Sequence, residues 1–482
     1  MFELISNLFN YFSLYLSIRK YIERYTRSKS HNFEHLDLII HKINICGSVC
    51  IKLTQWILPK LEIMISDKEN IKQNKKEQFI VHLESLYENC KFHSINDSKI
   101  IYENNFNTEF DTDYKIIKTI GSGSIGQTYL IENIHSNHKY VMKVIHPNVR
   151  KDIYYFQKIF NILQSISCIC PCFMNYLNRF PFDINHFIKD FNLQSDFINE
   201  SNNLLEFHNY FIDNPFIIIP QLYKCSKDII LMSYEEGMYV DDLVDDSDNY
   251  LKNSVVLLYY LFINNNEQCT HFNHGDLHRG NWRYKIVDEK PRLIIYDFGF
   301  CFHLEKEKRY IIDLIVETFE KTDSTFSDDI VDILTTITLE ILIDFEQSDD
   351  NITKLKNHIQ LNIDNIKPWC FSAIDLAKMF IEFSIIEKCK INHHLIQFFI
   401  IAIQCNHLYE QFNYKGKDNE PISGYKVHRE RYLDVINFCD TNNIFQDYNN
   451  LIKQKITKFQ PEVSNLFDTI TMPDSIKALA LS

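Results

Sequence analysis

Glycine and proline are scarce in this chain, with 10 and 11 among 482 residues. Because both residue types interrupt helices and strands, their scarcity predicts long helices and a helix-rich protein. Positive charge is also in short supply. The formal net charge of −14 argues against nucleic acid as the main partner, since binding a phosphate backbone needs clustered cations. The 13 cysteines have no regular spacing, which indicates reduced intracellular thiols rather than a disulfide-linked secreted scaffold.

Long apolar runs are absent as well. The run from Leu395 to Cys405 is interrupted by two glutamines and is shorter than the ~18 residues that a membrane-spanning helix requires. Residues 2–18 are apolar but broken by Ser and Asn, and basic residues follow from Arg19. This segment has two open interpretations, an amphipathic helix on a membrane surface or a helix packed on the rest of the protein. We expect an intracellular protein, either cytoplasmic or peripheral to a membrane.

The most informative stretch is His-Gly-Asp-Leu-His-Arg-Gly-Asn at 274–281, followed by Asp-Phe-Gly at 297–299. Either motif alone is typical of an ordinary turn, but both in this order and at this spacing indicate a phosphoryl-transfer site. Such a site needs an acid near the acceptor, for which Asp276 is the candidate. It also needs oxygen ligands for Mg²⁺, for which Asn281 and Asp297 are the candidates.

A glycine-rich loop lies upstream, between segments 114–120 and 127–132 that both read as strands. Glycines allow the backbone to approach phosphates closely, so that its N–H groups bind their charge. The Gly-x-Gly-x-x-Gly pattern is shared with dinucleotide-binding folds, but a strand rather than a long helix follows it here. The predicted nucleotide-contacting residues are Gly121, Ser122, Gly123, Ser124, Gly126 and Gln127.

The next predicted strand, 139–145, places Val141, Lys143 and Ile145 on one face. A lysine between two apolar neighbours either extends its ammonium group to solvent or binds something. Its distance from the glycine-rich loop favours phosphate binding.

An acid is needed to hold that lysine, and Glu200 is the candidate. Residues 182–210 have helical periodicity, and Glu200 falls within the apolar stripe formed by Leu193, Phe197, Leu204 and Phe207. Because an unpaired acid on an apolar face is costly, we expect it to pair with Lys143, with Asn203 pointing nearby. The alternative is that Glu200 pairs with a local basic residue or acts as a cap.

Downstream of the strands, residues 234–237 read as a hinge between two lobes, and the pattern then becomes helical. Helices are expected near 306–322, 328–345, 354–366, 371–388, 394–413 and 427–438.

Together these segments resemble the UbiB or aarF-domain-containing family of atypical protein-kinase-like proteins. The resemblance rests on Ser-Ile-Gly-Gln at 124–127, the lysine strand with His-Pro-Asn-Val at 146–149, the helix at 196–204 and the motifs at 274–281 and 297–299. Upstream, Lys52-Leu53-Thr54-Gln55 is similar to the family's Lys-x-Gly-Gln signature.

The resemblance implies an α+β, bilobal protein-kinase-like fold with a small β-containing N-lobe, a large helical C-lobe and a helical N-terminal extension. The corresponding boundaries are 1–110 for the extension, 111–236 for the N-lobe and 237–482 for the C-lobe. It also implies ATP (or ADP) and Mg²⁺ as cofactors, with Val141 at the adenine and Lys52 and Gln55 reaching toward the nucleotide. A role in quinone or lipid metabolism, with a lipid or quinone-precursor partner, is implied as well.

Three departures from the family pattern are visible. Thr54 replaces a glycine, Gly121 and Gly123 replace alanines, and Val141 replaces an alanine. None of these changes removes a candidate catalytic group.

Three functions are therefore open. The first is an ATP- and Mg²⁺-dependent kinase or ATPase of this family. The second is a small-molecule phosphotransferase of the aminoglycoside or choline kinase type, which the motif at 274–281 also suits. The third is a nucleotide-binding scaffold that transfers no phosphoryl group.

Overall fold

The structure is a computed structural model of the chain. The described residues are 2–28, 33–65, 78–86, 90, 92–169, 181–243, 250, 253–254, 257–258, 261, 272–288, 290–320, 326–366, 371 and 373–411. The predicted helix at 427–438 lies outside them.

Helices dominate both ends of the described chain, as the scarcity of glycine and proline predicts. Their bounds are Phe2–Ser28 (α1), Phe33–Ile45 (α2), Ser48–Ile65 (α3), Gln78–Glu84 (α4), Ile95–Phe106 (α5), Phe110–Asp113 (α6), Val149–Ile169 (α7), Ile184–Gln194 (α8), Phe197–Phe211 (α9), Tyr310–Glu320 (α10), Ile330–Ile341 (α11), Asp349–Asp364 (α12), Ala373–Glu387 (α13) and His393–Gln411 (α14). The helices expected between 306 and 413 are all present, with shifted ends. None of the described helices carries a stretch long and apolar enough to cross a bilayer.

The strands lie between these helical regions. Their bounds are Tyr114–Ser122 (β1), Gly126–Asn133 (β2), Lys139–Ile145 (β3), Ile217–Ile218 (β4), Leu222–Cys225 (β5), Ile229–Ser233 (β6), Phe272–His274 (β7), Trp282–Val287 (β8), Lys290–Ile295 (β9), Cys301–His303 (β10), Leu342–Ile343 (β11) and Lys390–Ile391 (β12). An antiparallel five-stranded sheet has the order β1-β2-β3-β6-β5, and a three-stranded sheet has the order β4-β9-β8. Pairs β7–β10 and β11–β12 form two small ribbons.

The central strands β3 and β6 of the large sheet are buried on both faces, and β3 is buried from Val141 to Ile145. Val141 and Ile145 pack into a core that includes α9 and β9 residues. Met142 and Val144 pack into a second core with residues of α5 and β2. The alternation predicted for β3 is therefore confirmed, and it places Lys143 on the same face as Val141 and Ile145.

The helix predicted over 182–210 is wrong as a single element. The structure has two helices there, because Asp196 leaves the helical conformation and its carboxylate caps α9 by accepting a hydrogen bond from the Ile198 N–H at 3.2 Å. Leu193 consequently belongs to α8 and is 49% exposed, so it does not share the apolar stripe of Phe197 and Leu204.

Candidate active site

Lys143 lies at the centre of the candidate site. Its side chain, 11% exposed, extends from β3, and its Nζ donates to Glu200 Oε1 at 2.7 Å and to Asp297 Oδ1 at 3.0 Å. Burial alone would lower the pKa of Lys143, but the two carboxylates outweigh burial and raise it above its ordinary value. The pairing of Lys143 with Glu200 is confirmed, and the sequence did not predict the contact with Asp297.

Glu200 lies in the first turn of α9 and is 4% exposed. Burial raises the pKa of its carboxyl to about 7, and the nearby Lys143 opposes part of that rise. One turn later, Asn203 Nδ2 donates to the Phe298 carbonyl at 2.9 Å. Helix α9 therefore contacts both the lysine strand and the Asp-Phe-Gly segment.

Asp297 follows β9 directly and has a backbone φ of +56°, in the left-handed region that few residues other than glycine adopt. Its Oδ1 accepts the Gly299 N–H at 3.2 Å, which stabilises the turn. Burial would raise the pKa of Asp297, but Lys143 and Lys52 outweigh burial and hold that pKa below its usual range. The carboxylate stays ionised at neutral pH, and its side chain is 47% exposed.

The loop carrying Asp276 is anchored to the end of β9. His274 Nε2 donates to the Tyr296 carbonyl at 2.9 Å, while its Nδ1 accepts the Asp276 N–H at 3.2 Å. Asn281 Nδ2 donates to the Asp276 carbonyl at 2.7 Å, and the Tyr296 N–H donates to the Asn281 carbonyl at 2.8 Å. The two motifs separated in sequence thus form one hydrogen-bonded unit.

Asn281 and Asp297 suit a magnesium ion chemically. Since Asn281 Nδ2 is committed to a carbonyl, its Oδ1 is directed away from that bond and is free to serve as a hard oxygen ligand. Asp297 supplies an ionised, partly exposed carboxylate. Elsewhere among the described residues, no group of three or more His, Cys, Asp or Glu side chains is arranged to hold a metal ion.

Helix α3 brings two further predicted residues to the site. Lys52 Nζ lies 3.5 Å from Asp276 Oδ2, which places it beside the candidate acid. Gln55 Nε2 donates to the Leu86 carbonyl at 2.8 Å, and its Oε1 accepts from Ser124 Oγ at 3.2 Å in the glycine-rich loop. Thr54, at the family's glycine position, bonds within the helix to the Cys50 carbonyl and does not prevent this docking.

The glycine-rich loop connects β1 to β2, and the Gly123 N–H donates to the Gly126 carbonyl at 3.0 Å. A Cβ on Gly126 would lie 2.7 Å from the Val144 carbonyl, so this position requires glycine. At Gly121 a Cβ would meet no heavy atom within 4 Å, so an alanine of the family pattern would fit there.

Gln127 is placed differently from the other loop residues. Its amide accepts the His93 N–H at 3.0 Å and donates to the Tyr129 hydroxyl at 2.6 Å. Tyr129 belongs to the core on the face of the sheet opposite Lys143. The structure therefore does not bring the Gln127 side chain to the Lys143 group.

Three residues near the site had no assigned role in the sequence reasoning. Gln397 Nε2 of α14 donates to the Gly275 carbonyl at 2.6 Å, and a lone glutamine in a helix carries no signal for such a contact. His146 Nε2 lies 3.0 Å from the Gly123 carbonyl. Its position directly after β3, in His-Pro-Asn-Val, was the available signal. His93 contacts His146 across a long sequence separation that no local pattern reveals.

Comparison with known proteins gives one family and many solved structures, two of which are compared with the chain. A model of the ABC1 atypical kinase-like domain matches residues 85–328, just over half of the chain. This range contains every candidate site residue except Lys52 and Gln55. No curated protein sequence matches the chain.

Both structures are from Mycobacterium tuberculosis. The chain is similar to Rv3197 in its complex with erythromycin, with 15% identity over 69% of this chain and 84% of that one, at a TM-score of 0.40. It is also similar to a double mutant of the PknI kinase domain, with 14% identity over 39% of this chain and 58% of that one, at a TM-score of 0.21.

Proposed function

The chain belongs to the ABC1 atypical kinase-like family, which includes the UbiB and aarF proteins, and from this premise we propose that it is an ATP- and Mg²⁺-dependent kinase or ATPase. The α+β kinase-like fold predicted from the sequence is confirmed. One observation carries the proposal: a strand, a helix and the two motif loops place Lys143, Glu200 and Asp297 in direct contact, with Asp276 and Asn281 in the loop beside them.

In the proposed reaction, Lys143 binds the α- and β-phosphates of the nucleotide while Glu200 holds the lysine in place. Asn281 and Asp297 would hold Mg²⁺, which would neutralise phosphate charge. Asp276 orients the acceptor hydroxyl or a water molecule.

A second candidate function is nucleotide binding without transfer. The observation that favours it is the ion pair between Lys52 and Asp276, which occupies the acid that an acceptor would need. Transfer needs an oxygen of Asp276 to reach the acceptor, whereas binding at Lys143 and Asp297 does not. Nucleotide binding that is unchanged by Asp276→Asn, together with undetectable turnover in the wild type, would favour this candidate.

The proposed acceptor is a lipid or a quinone precursor, as the family resemblance implies. The small-molecule phosphotransferase reading differs from it in the acceptor, since both use the same acid and metal ligands. Turnover with choline or an aminoglycoside but not with lipid-like phenols would support that reading.

We also propose that α1 lies on an anionic membrane surface. Ile5, Phe9, Phe12 and Leu16 share one face of the helix and are 60, 70, 57 and 46% exposed, while Leu14 on the opposite face is buried. Cations continue along the helix at its C-terminal half: Arg19, Lys20, Arg24 and Arg27. An exposed apolar stripe followed by cations is complementary to the boundary between acyl chains and anionic headgroups.

Vesicle flotation tests this contact. We expect the protein to float with vesicles containing phosphatidylglycerol and to bind phosphatidylcholine vesicles more weakly. Phe9→Ser with Phe12→Ser should abolish flotation, whereas Leu361→Ser, which alters an equally exposed apolar residue on α12, should not. If the double variant floats like the wild type, or changes only the oligomeric state, α1 does not face a membrane.

Nucleotide-induced thermal stabilisation tests the site itself. Asp297→Asn removes the charge of the metal ligand and keeps a residue that tolerates a positive φ. Asp288→Asn is a matched control, because Asp288 has a φ of +53° and lies in the exposed turn between β8 and β9.

We expect Mg–ATP to raise the melting temperature of the wild type and of Asp288→Asn, because a ligand that binds only the folded state stabilises it. Asp297→Asn should lose the Mg²⁺-dependent part of the shift. An equal shift in all three proteins would show that the nucleotide binds elsewhere.

A further inference from the structure

A chain of hydrogen bonds runs behind the glycine-rich loop, outside the candidate catalytic group. It begins at the Gly123 carbonyl, which lies 3.0 Å from His146 Nε2. His146 Nδ1 lies 2.7 Å from His93 Nδ1, and His93 Nε2 lies 2.6 Å from Ser98 Oγ. Ser98 is the fourth residue of α5 and is completely buried.

From Ser98 the hydrogen bonds lead back to His93. Ser98 Oγ is 2.7 Å from the Tyr129 hydroxyl, which accepts from Gln127 Nε2 at 2.6 Å. Gln127 Oε1 accepts the backbone N–H of His93 at 3.0 Å and so closes a ring of hydrogen bonds. Gln127, Ser98 and Tyr129 are each at most 2% exposed.

With both imidazoles neutral, fixed donors and acceptors determine the protons in this chain of hydrogen bonds, in which His146 Nε2 also lies 3.3 Å from Ser122 Oγ. A carbonyl only accepts, so His146 carries its proton on Nε2 and accepts on Nδ1. His93 must then donate from Nδ1 and accept on Nε2, so the Ser98 hydroxyl donates to His93.

The same logic fixes the rest of the ring. The Ser98 oxygen is left to accept from the Tyr129 hydroxyl, and the Tyr129 oxygen accepts from the Gln127 amide, which only donates there. Burial favours the neutral imidazoles that this arrangement uses, because it lowers the pKa of His93 to about 4 and the pKa of His146 below its ordinary value.

Side chains tie the two serines of the loop, since Ser124 Oγ donates to Gln55 Oε1 at 3.2 Å and Ser122 Oγ lies 3.3 Å from His146 Nε2, but the glycines have no side chain of their own. A Cβ at Gly121 would meet nothing within 4 Å, and at Gly123 the nearest atom would be 3.8 Å away. Two glycines in open space leave the backbone many conformations. A carbonyl oxygen that faced bound phosphates would repel them. The Nε2–H of His146 instead holds the Gly123 carbonyl toward the imidazole.

We propose that His146, held by His93, is a positioning residue that fixes the glycine-rich loop in its nucleotide-binding conformation through the Gly123 carbonyl. The proposal deepens the proposed nucleotide site and rests on it for the affinity measurement, but the conformation of the loop can be measured without nucleotide. His146 touches neither Lys143 nor Asp297 in the described contacts, so its effect passes through the backbone of the loop.

The test compares three variants with the wild type at pH 7.5. His146→Ala removes the donor to Gly123. His146→Gln replaces Nε2–H by an amide N–H that reaches the same carbonyl. His138→Ala is the matched control, because His138 is an exposed histidine of the same sheet, in the turn before β3.

Two quantities are measured on each protein. Amide hydrogen exchange of peptides covering 121–126 reports on the loop in the absence of nucleotide. We expect His146→Ala to exchange faster there, and His146→Gln and His138→Ala to match the wild type. The Kd for Mg–ATP should rise about tenfold in His146→Ala, the effect of losing one hydrogen bond, and less than about threefold in His146→Gln.

The outcomes separate this inference from the proposed function. If Mg–ATP does not bind the wild type, the nucleotide site is wrong, and the exchange data alone decide whether His146 fixes the loop. Unchanged exchange in His146→Ala would overturn the positioning role. Equal loss in His146→Ala and His146→Gln would overturn it as well, because the imidazole would then act by its volume and not by its N–H donor.

Discussion

Replacing Lys143 by methionine removes the ammonium group at the centre of the site and keeps most of the side chain. Glu200, whose side chain is 5% exposed, is then left as a buried carboxylate without the cation that lies 2.7 Å away. Removing one partner of a buried ion pair costs about 3–5 kcal/mol. We expect Lys143→Met to lower the free energy of unfolding by about that amount at pH 8.5.

The loss should depend on pH in a defined direction. Burial raises the pKa of Glu200 to about 7 while Lys143 is present, and without the lysine it rises further. When a carboxyl has a higher pKa in the folded than in the unfolded protein, the protein becomes less stable as pH rises between the two values. Above pH 7 this loss ends in the wild type but continues in the variant. The difference between them therefore grows by about 1.4 kcal/mol per pH unit there.

Urea unfolding followed by circular dichroism at pH 6 and pH 8.5 measures both effects. Adding Glu200→Gln to Lys143→Met should recover most of the loss at pH 8.5, because a neutral amide replaces the stranded charge. Lys356→Met is the control, since its pair with Asp332 is exposed and contributes less than about 1 kcal/mol. An equal loss at both pH values, or a double variant no more stable than the single one, would refute the reasoning.

Three other substitutions have defined outcomes. Gly126→Ala places a Cβ 2.7 Å from the Val144 carbonyl and should lower the free energy of unfolding by roughly 1–3 kcal/mol, which thermal unfolding measures. Burial lowers the pKa of Lys60 to about 7 in the folded protein. Between pH 7 and pH 10 the unfolded protein therefore binds a proton at this lysine that the folded protein does not, and wild-type stability should rise with pH. Lys60→Met should flatten that rise in melting temperature. Gln397→Met leaves the buried Gly275 carbonyl without its donor and should cost about 1–3 kcal/mol in urea unfolding, while the isosteric Gln397→Glu keeps the volume as a comparison.

The sequence was most informative where a local period or a buried charge constrains the answer. Alternation along β3 placed Lys143 among apolar neighbours, and the cost of an unpaired acid on an apolar face identified Glu200 as its partner. Both inferences hold in the structure, where Lys143 Nζ lies 2.7 Å from Glu200 Oε1.

Contacts that depend on how distant segments pack could not be predicted in this way. The charge argument says that Lys143 needs an acid, but it does not say that Asp297 shares it. Nothing local requires Lys52 to reach Asp276, because that contact depends on how α3 docks. Periodicity also missed the break at Asp196, since a capping carboxylate interrupts a helix without interrupting its apolar pattern.

Helix α9 connects the strand that carries Lys143 to the Asp-Phe-Gly segment. Glu200 contacts Lys143 of β3, and Asn203 donates to the Phe298 carbonyl one turn later. A further turn along, the Phe207 ring contacts the Phe298 ring at a tilt of 46°, with centroids 5.2 Å apart. One rotation of this helix about its axis would release all three together. The contacts of the Asp-Phe-Gly segment and of Lys143 with this helix therefore depend on the position of one element, whereas the contact of Lys143 with Asp297 does not.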